Sequence, residues 1–532
     1  MKIQAFVVIL AASIMMLGCG KGDFSSRQNA TQENVFRYPI PNNPTSLDPG
    51  IVQDGDTLDL LQQVYEGLVT WGENNEVVPA LAESWEVKDG GKVYAFKLKS
   101  GVKFHNGREV TADDVKWSIE RACDPVLKST TADAYLSDVI GVTDKVNGRA
   151  DEVAGVKVTA PDMVEFHLKQ PTPYFLGKLT YLVSAVLPKE SVPADSEINE
   201  LKEVVGSGPF KMSSFDPEQL VVLEAFADYH GGAPKLAKIE RPIIKDATTR
   251  LTKYKNGEID MVQVERQVIA AIEEDPKLKD QLKLFQRPAI WYVGMNELMY
   301  PPFKDRRVRQ AFAMAIDKEK IVNELMGGAN TIANSIVPPG IRGHREETKA
   351  FKFDPAQAKQ LLAAAGFPEG KGLPTLTMTF RESYPDIRLV AEAVAGQIKQ
   401  NLNVEVKLQT MEWRTYLEKY NAKEQTFYHM RWAADYLDPQ NFLSHMLATW
   451  GPENKVGYSN PEFDRLCKQA DTLLEWEQRL PLYSQAEDIV LQDAVWVPIY
   501  FQRDAELHRP GISGMRESLF GHLPHTTVEI KR

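Results

Sequence analysis

Short apolar blocks with two different periods alternate along the chain. Val93-Tyr94-Ala95-Phe96-Lys97-Leu98-Lys99 ends at Ser100-Gly101, which predicts a half-buried strand. Val156 to Thr159 and Val164 to Leu168 flank Ala160-Pro161-Asp162, the composition of a hairpin with a tight link. Thr111-Ala112-Asp113-Asp114 predicts a helix start, with Thr111 as cap and both acids at the positive end of the dipole. Val115, Trp117, Ile119 and Ala122 continue it at helical spacing. From Asp305, an apolar stripe through Val308, Phe312, Ile316, Val322 and Leu325 predicts one helix that stops at Gly327-Gly328. Leu376, Met378 and Phe380 alternate, 387–400 has helical spacing, and Val404, Val406 and Leu408 alternate again. This is a βαβ unit with parallel strands. The class is α/β mixed with α+β, with more than one sheet. No period of 20–50 residues recurs, which excludes solenoids and propellers.

The N-terminus changes the picture. A single Lys2 precedes an apolar run to Leu17, too short for a membrane span and typical of a removable export signal. Leu17-Gly18-Cys19 resembles the bacterial lipoprotein box, although Met16 stands where the box usually has leucine. The resemblance implies a signal at 1–18, lipidation of Cys19 and anchoring to a membrane; an ordinary secretory signal is the alternative. Acyl chains contribute about 0.8 kcal/mol per buried CH₂, so several on one cysteine hold a protein at a bilayer. Residues 19–32, rich in Ser, Gln, Asn and Gly, read as a flexible tether. The 532 residues allow about three domains. A net charge of −11 without any basic stripe argues against a nucleic-acid partner. Cys123 and Cys467 are expected as buried free thiols, with a disulfide between them as the alternative.

Catalytic motifs are missing. There is no phosphate loop, no G-x-G-x-x-G, no H-E-x-x-H and no G-x-S-x-G elbow. Gly206-Ser207-Gly208-Pro209 reads as a tight backbone crossing. His522 and His525 read as part of a solvated loop, not a zinc site, and neither remaining cysteine has a neighbouring histidine to activate it. No catalytic residue, cofactor or metal is expected.

Several segments, in order, resemble the oligopeptide- and dipeptide-binding proteins of ABC importers, extracellular solute-binding family five. They are Pro44-Thr45-Ser46-Leu47-Asp48-Pro49, Val64-Tyr65-Glu66-Gly67-Leu68-Val69 and Pro79-Ala80-Leu81-Ala82-Glu83-Ser84-Trp85. The most specific block runs from Lys97 through Phe104-His105-Asn106-Gly107 to Val110-Thr111-Ala112-Asp113-Asp114-Val115. Gly206-Ser207-Gly208-Pro209-Phe210, Pro302-Phe303-Lys304-Asp305-Arg306-Arg307-Val308-Arg309 and Ala363-Ala364-Ala365-Gly366-Phe367 follow. The resemblance implies a two-lobed periplasmic-binding-protein-like fold (type II, cluster C-like), α/β with an extra α+β subdomain inserted. Lobe I is expected at 33–66, 205–292 and 498–532, the insert at 67–204, and lobe II at 293–497.

The resemblance also implies a ligand site. His429-Met430-Arg431-Trp432-Ala433-Ala434-Asp435-Tyr436 matches the Trp-x-x-Asp segment of the peptide binders, whose aspartate receives the ligand's α-ammonium. A buried ammonium is costly unless a carboxylate pairs with it. Met430 to Ala433 are expected as an extended edge that pairs with a peptide backbone. His429 replaces an arginine of the oligopeptide binders, and Gln53 falls near one of their glutamates. Arg381 aligns with an arginine that holds the ligand carboxylate in dipeptide binders, or is a solvated strand end. Trp413 and Trp432 are wall or core aromatics, and Tyr38 is a further wall candidate. The implied partners are a peptide, the permease subunits and the membrane beneath the anchor, with the chain a monomer outside the cytoplasm. Receptors of the same fold for nickel complexes, oligosaccharides or opines, a lipid-anchored hydrolase, and a surface chaperone or adhesin are the competing readings.

Overall fold

The computed structural model describes residues 34–382 and 385–531. The expected signal at 1–18, Cys19 and the tether lie outside the described residues. Among those described, no helix is long and apolar enough to cross a membrane.

Three main sheets organise the chain. In the first, Val35–Arg37 runs parallel to Lys238–Pro242, and Leu220–Ala225 and Phe210–Asp216 follow antiparallel. The second is the antiparallel series Ala82–Lys88, Val93–Leu98, Met163–His167 and Val156–Ala160, which contains the expected strand and hairpin. The third runs in the order Met261–Gln263, Trp496–His508, Leu282–Met295, Phe427–Ala433, Leu376–Arg381 and Val406–Met411, with Thr331–Ile332 also on Trp496–His508. Leu376–Arg381 and Val406–Met411 are parallel and joined by the helix Pro385–Leu402, as the βαβ pattern predicts.

Burial follows the strand pleat. In Leu282–Met295, Trp291, Val293 and Met295 enter one core with Phe303, Phe312 and Phe380. Ile290 and Tyr292 enter a second, on the opposite face, with Tyr416, Phe442 and Leu466. Phe36, Tyr65, Phe210 and Ile239 form the core of the first sheet. Phe96, Phe104, Ile119 and Phe166 form that of the second. Leu182, Leu187, Val192 and Ile198, inside the 67–204 range, pack with the first-sheet core. The molecule is thus a two-lobed α/β structure with an α+β insert.

Local signals account for several elements. The helix Ala112–Ala122 starts where Thr111 donates its N–H to the Asp114 carboxylate at 2.9 Å. At Gly206 a Cβ atom would sit 2.0 Å from the Val64 carbonyl oxygen, so only glycine permits this crossing. Cys123 and Cys467 are buried free thiols. Two expectations are corrected. The stripe from Asp305 is not one helix: Arg306–Met314 ends, and a separate wide-turn segment, Lys320–Leu325, follows. Neighbouring side chains satisfy the backbone at the break, where Asn401 donates to the Ala315 carbonyl at 2.9 Å and Asp317 N–H donates to Gln397 at 2.6 Å. His522 and His525 are not solvated but buried, 7% and 1% exposed, because the C-terminal segment folds back against Tyr38 and Glu506.

A buried ion pair joins the helix Ala112–Ala122 to the segment at Asp48. Arg121 donates to both Asp48 oxygens, at 3.1 and 2.6 Å, and to the carbonyls of Pro193 and Ser196. Asp48 also accepts from the N–H groups of Gly50 and Ile198. With the pair this fully bonded, Arg121→Ala strands a buried carboxylate and is expected to destabilise the protein by about 3–5 kcal/mol, measured by urea unfolding.

Candidate functional site: the cleft between the lobes

A cavity of about 1720 Å³ separates the lobes. Its wall draws on segments far apart in the chain, with Tyr38 and Gln53, Tyr135, and Arg381, Trp432 and Asp435 among the lining residues. It exceeds the roughly 300–1,000 Å³ typical of small-molecule pockets.

The strand Phe427–Ala433 forms one side. It pairs along its whole length with Met295 to Ala289 of the neighbouring strand. On its other edge, Leu376–Arg381 pairs only with Phe427 and Tyr428. The antiparallel alternation turns the backbone groups of Ala434 toward Pro288, whose carbonyl accepts from Ala434 N–H at 2.8 Å. By the same alternation, those of Ala433 point to the opposite edge. Met430, Arg431, Trp432 and Ala433 line the cavity.

Asp435 follows directly. Its Oδ2 accepts from the Tyr135 hydroxyl at 2.6 Å, and its N–H donates to Asn441 Oδ1 at 3.1 Å. Burial pushes its carboxyl up to about 7, against the opposing pull of the bonds from Tyr135 and Asn441. At neutral pH this group is therefore poised between its two states. Trp432 is held by its indole N–H, which donates to the Asn441 carbonyl at 3.0 Å. His445 packs its ring 5.5 Å from Trp432 and 6.1 Å from Tyr135. It is buried, its Nε2 has no hydrogen-bond partner among the described residues, and burial lowers its pKa to about 3, so it stays neutral.

Other expected residues are dispersed around the wall. Arg381 lies over Trp413 at 4.7 Å and over Trp291 at 5.3 Å, a cation held between two aromatic faces. Gln53 is exposed on the cavity side and donates to Thr130. Tyr38 is buried at the wall, its hydroxyl 2.9 Å from His525 Nε2 and its ring under the Arg241 guanidinium at 3.6 Å. Two residues fall off the wall. His429, 1% exposed, packs below the cavity surface against Trp291, ring centroids 5.0 Å apart. Tyr436 is buried against Tyr174 of the insert, ring centroids 5.7 Å apart, and donates to Gln440.

Sequence reasoning did not identify Tyr135, Asn441 or His445. Tyr135 lies on the short helix Thr130–Leu136, 300 residues from its partner Asp435, and carries no local signal of the pairing. The contacts Tyr135–Asp435 and Tyr174–Tyr436 link the 67–204 segment to the far side of the cleft.

Comparison with known proteins agrees with this architecture. The dipeptide-binding protein DppE of Bacillus subtilis is 29% identical, over 98% of this chain and 98% of its own length. The probable deoxycholate-binding periplasmic protein YgiS of Escherichia coli is 31% identical, over 91% and 90%. The solved murein tripeptide-binding protein MppA of Escherichia coli superposes with a TM-score of 0.84 at 25% identity, covering 94% of this chain and 99% of that one. Residues 76–454 match the family model described as bacterial extracellular solute-binding proteins, family 5, middle. With two lobes around a strand-edged cleft and a family match across most of its length, the chain belongs to the family 5 bacterial extracellular solute-binding proteins.

Proposed function

We propose that this protein is an extracytoplasmic peptide receptor, anchored through lipid on Cys19, that captures peptides in the cleft and delivers them to an ABC importer without making or breaking a bond. The observation that carries this reading is Asp435 at the end of a half-open strand edge on a large cavity. The Asp435 carboxylate takes the peptide's α-ammonium, and the Ala433 edge bonds its backbone as an added strand. Recognition through backbone and terminus tolerates varied side chains. Arg381, braced between Trp291 and Trp413, takes the carboxyl end of a short peptide. Gln53, Trp432 and Tyr38 contribute wall surface. The units of closure are lobe I (33–66, 205–292, 498–532) with its insert (67–204), and lobe II (293–497). The relatives named for dipeptide and murein tripeptide binding support a peptide ligand.

Asp435→Ala is expected to weaken a free peptide far more than its N-acetylated form, measured by isothermal titration; equal loss for both removes the ammonium assignment. Arg381→Gln is expected to weaken dipeptides with a free carboxylate and leave their amides unchanged by the same measurement.

The pH dependence has a definite sign. In the free receptor the Asp435 carboxyl titrates at about 7, and a bound ammonium keeps it ionised. Below that pH a proton must leave on binding, so affinity falls as pH drops, approaching about tenfold per unit. Above roughly 8 the peptide's own amine loses its proton and affinity falls again. The expected profile is an optimum between the two, and Asp435→Asn is expected to abolish the acid limb.

A further inference from the structure

At the lobe I end of the crossing strand, three potential ligands converge away from the Asp435 subsite. His508 Nε2 and His522 Nε2 each lie 2.8 Å from the same oxygen, Oε2 of Glu506. The three donor atoms all fall within 4.8 Å of one another. Strand geometry explains half of the cluster, because Glu506 and His508 are two residues apart on Trp496–His508 and share a face. His522 arrives on the short strand Gly521–His522, which pairs with Glu517–Ser518.

We propose that Glu506, His508 and His522 form a site for a divalent transition-metal ion, with an open coordination position toward the cleft. Two imidazole nitrogens and one carboxylate oxygen are a borderline donor set suited to Zn²⁺, Co²⁺ or Ni²⁺. A tetrahedral ion with bonds of about 2.0–2.2 Å needs donors roughly 3.3–3.5 Å apart, so the Glu506 oxygen has to withdraw by only about half an ångström.

Two further observations support an ion here. Among the described residues His522 Nδ1 is buried without a hydrogen-bond partner, and Glu517 Oε1 stands 3.8 Å from it. That is the place of the outer carboxylate that orients a metal-bound imidazole and fixes its tautomer. Finally, Glu506 and His522 line the cavity while His508 does not, so the fourth position faces the cleft and is open to water or to a carboxylate of the cargo. Phe285 closes the site on the protein side, its ring 6.0 Å from both imidazoles. A bound ion ties the C-terminal segment to the strand that carries the lobes.

The test is a titration of the untagged, chelator-stripped mature chain with Co²⁺, followed by displacement with Zn²⁺. One equivalent is expected to bind, with the intense visible absorption of four-coordinate cobalt, and zinc is expected to remove it. His522→Gln and His508→Gln are expected to abolish that spectrum, and Glu517→Gln to weaken zinc by about 10–100-fold while keeping the stoichiometry. Less than one equivalent bound by the wild-type chain overturns the site whatever the variants do. So does a folded His508→Gln chain that binds cobalt as the wild type does.

Discussion

Two long antiparallel strands, Leu282–Met295 and Trp496–His508, pass from one lobe into the other, and the arrangement of everything around the cleft follows from that pairing. Their ladder is continuous from Leu282 to Gln286 and resumes from Ile290 to Gly294, with one irregularity at the level of Arg287 and Pro288 and a second between Trp291 and Tyr292, opposite Pro498. Proline contributes no N–H to a ladder, so the pairing is weakened where the chain crosses between lobes. The lobe I half carries Glu506 and His508 against Met261–Gln263. The half toward Met295 and Trp496 carries Trp291 and Tyr292, and through them the cores on both faces of the large sheet.

The strand at the cleft depends on this pair. Phe427–Ala433 takes its register from Ala289–Met295 on one side, so its other edge does not need a partner along its full length to stay extended. A lone edge of this kind invites pairing with any extended chain. Here it is enclosed in a cleft instead of facing bulk solvent. Asp435 ends the strand at the point where the chain turns toward Asp438, whose carboxylate is bound by Arg479 at 2.8 Å through both nitrogens. That buried pair anchors the turn and gives the neighbouring aspartate a fixed position. Within one short segment, then, one aspartate is structurally saturated, and the other is held by a tyrosine hydroxyl and left at the cavity surface.

The polarity of the two aspartates follows from burial as much as from identity. Asp438 is neutralised by a guanidinium, whereas the Asp435 carboxyl is driven upward by desolvation and eased by neutral donors. A group tuned in this way exchanges its proton for a cation at little electrostatic cost, which suits reversible capture. His445 beside it adds to the same wall a neutral imidazole whose Nε2 has no hydrogen-bond partner among the described residues. Cleft charge elsewhere is largely paired in place, as in Arg287–Asp504 and Arg241–Asp59.

Local periodicity and composition by themselves determined the strand Val93–Leu98, the 156–167 hairpin, the helix Ala112–Ala122, the βαβ unit and, through ordered segment matches, the family. These depend on interactions within a few residues or within one supersecondary unit, so the information is contiguous. The placement of Asp435 at the cavity was legible for the same reason, from one segment read against a family pattern. What only the tertiary structure decided lies across long separations. Tyr135 meets Asp435 over 300 residues. The helix from Asp305 breaks because Gln397 and Asn401 satisfy its backbone from elsewhere. His429 and Tyr436, inside the matched segment, stay off the cavity wall because packing against Trp291 and Tyr174 buries them. His522 becomes buried beside Glu506 only when the C-terminal segment closes on the crossing strand. Side-chain direction and burial are properties of the packed whole, and a linear pattern of polar and apolar residues does not carry them.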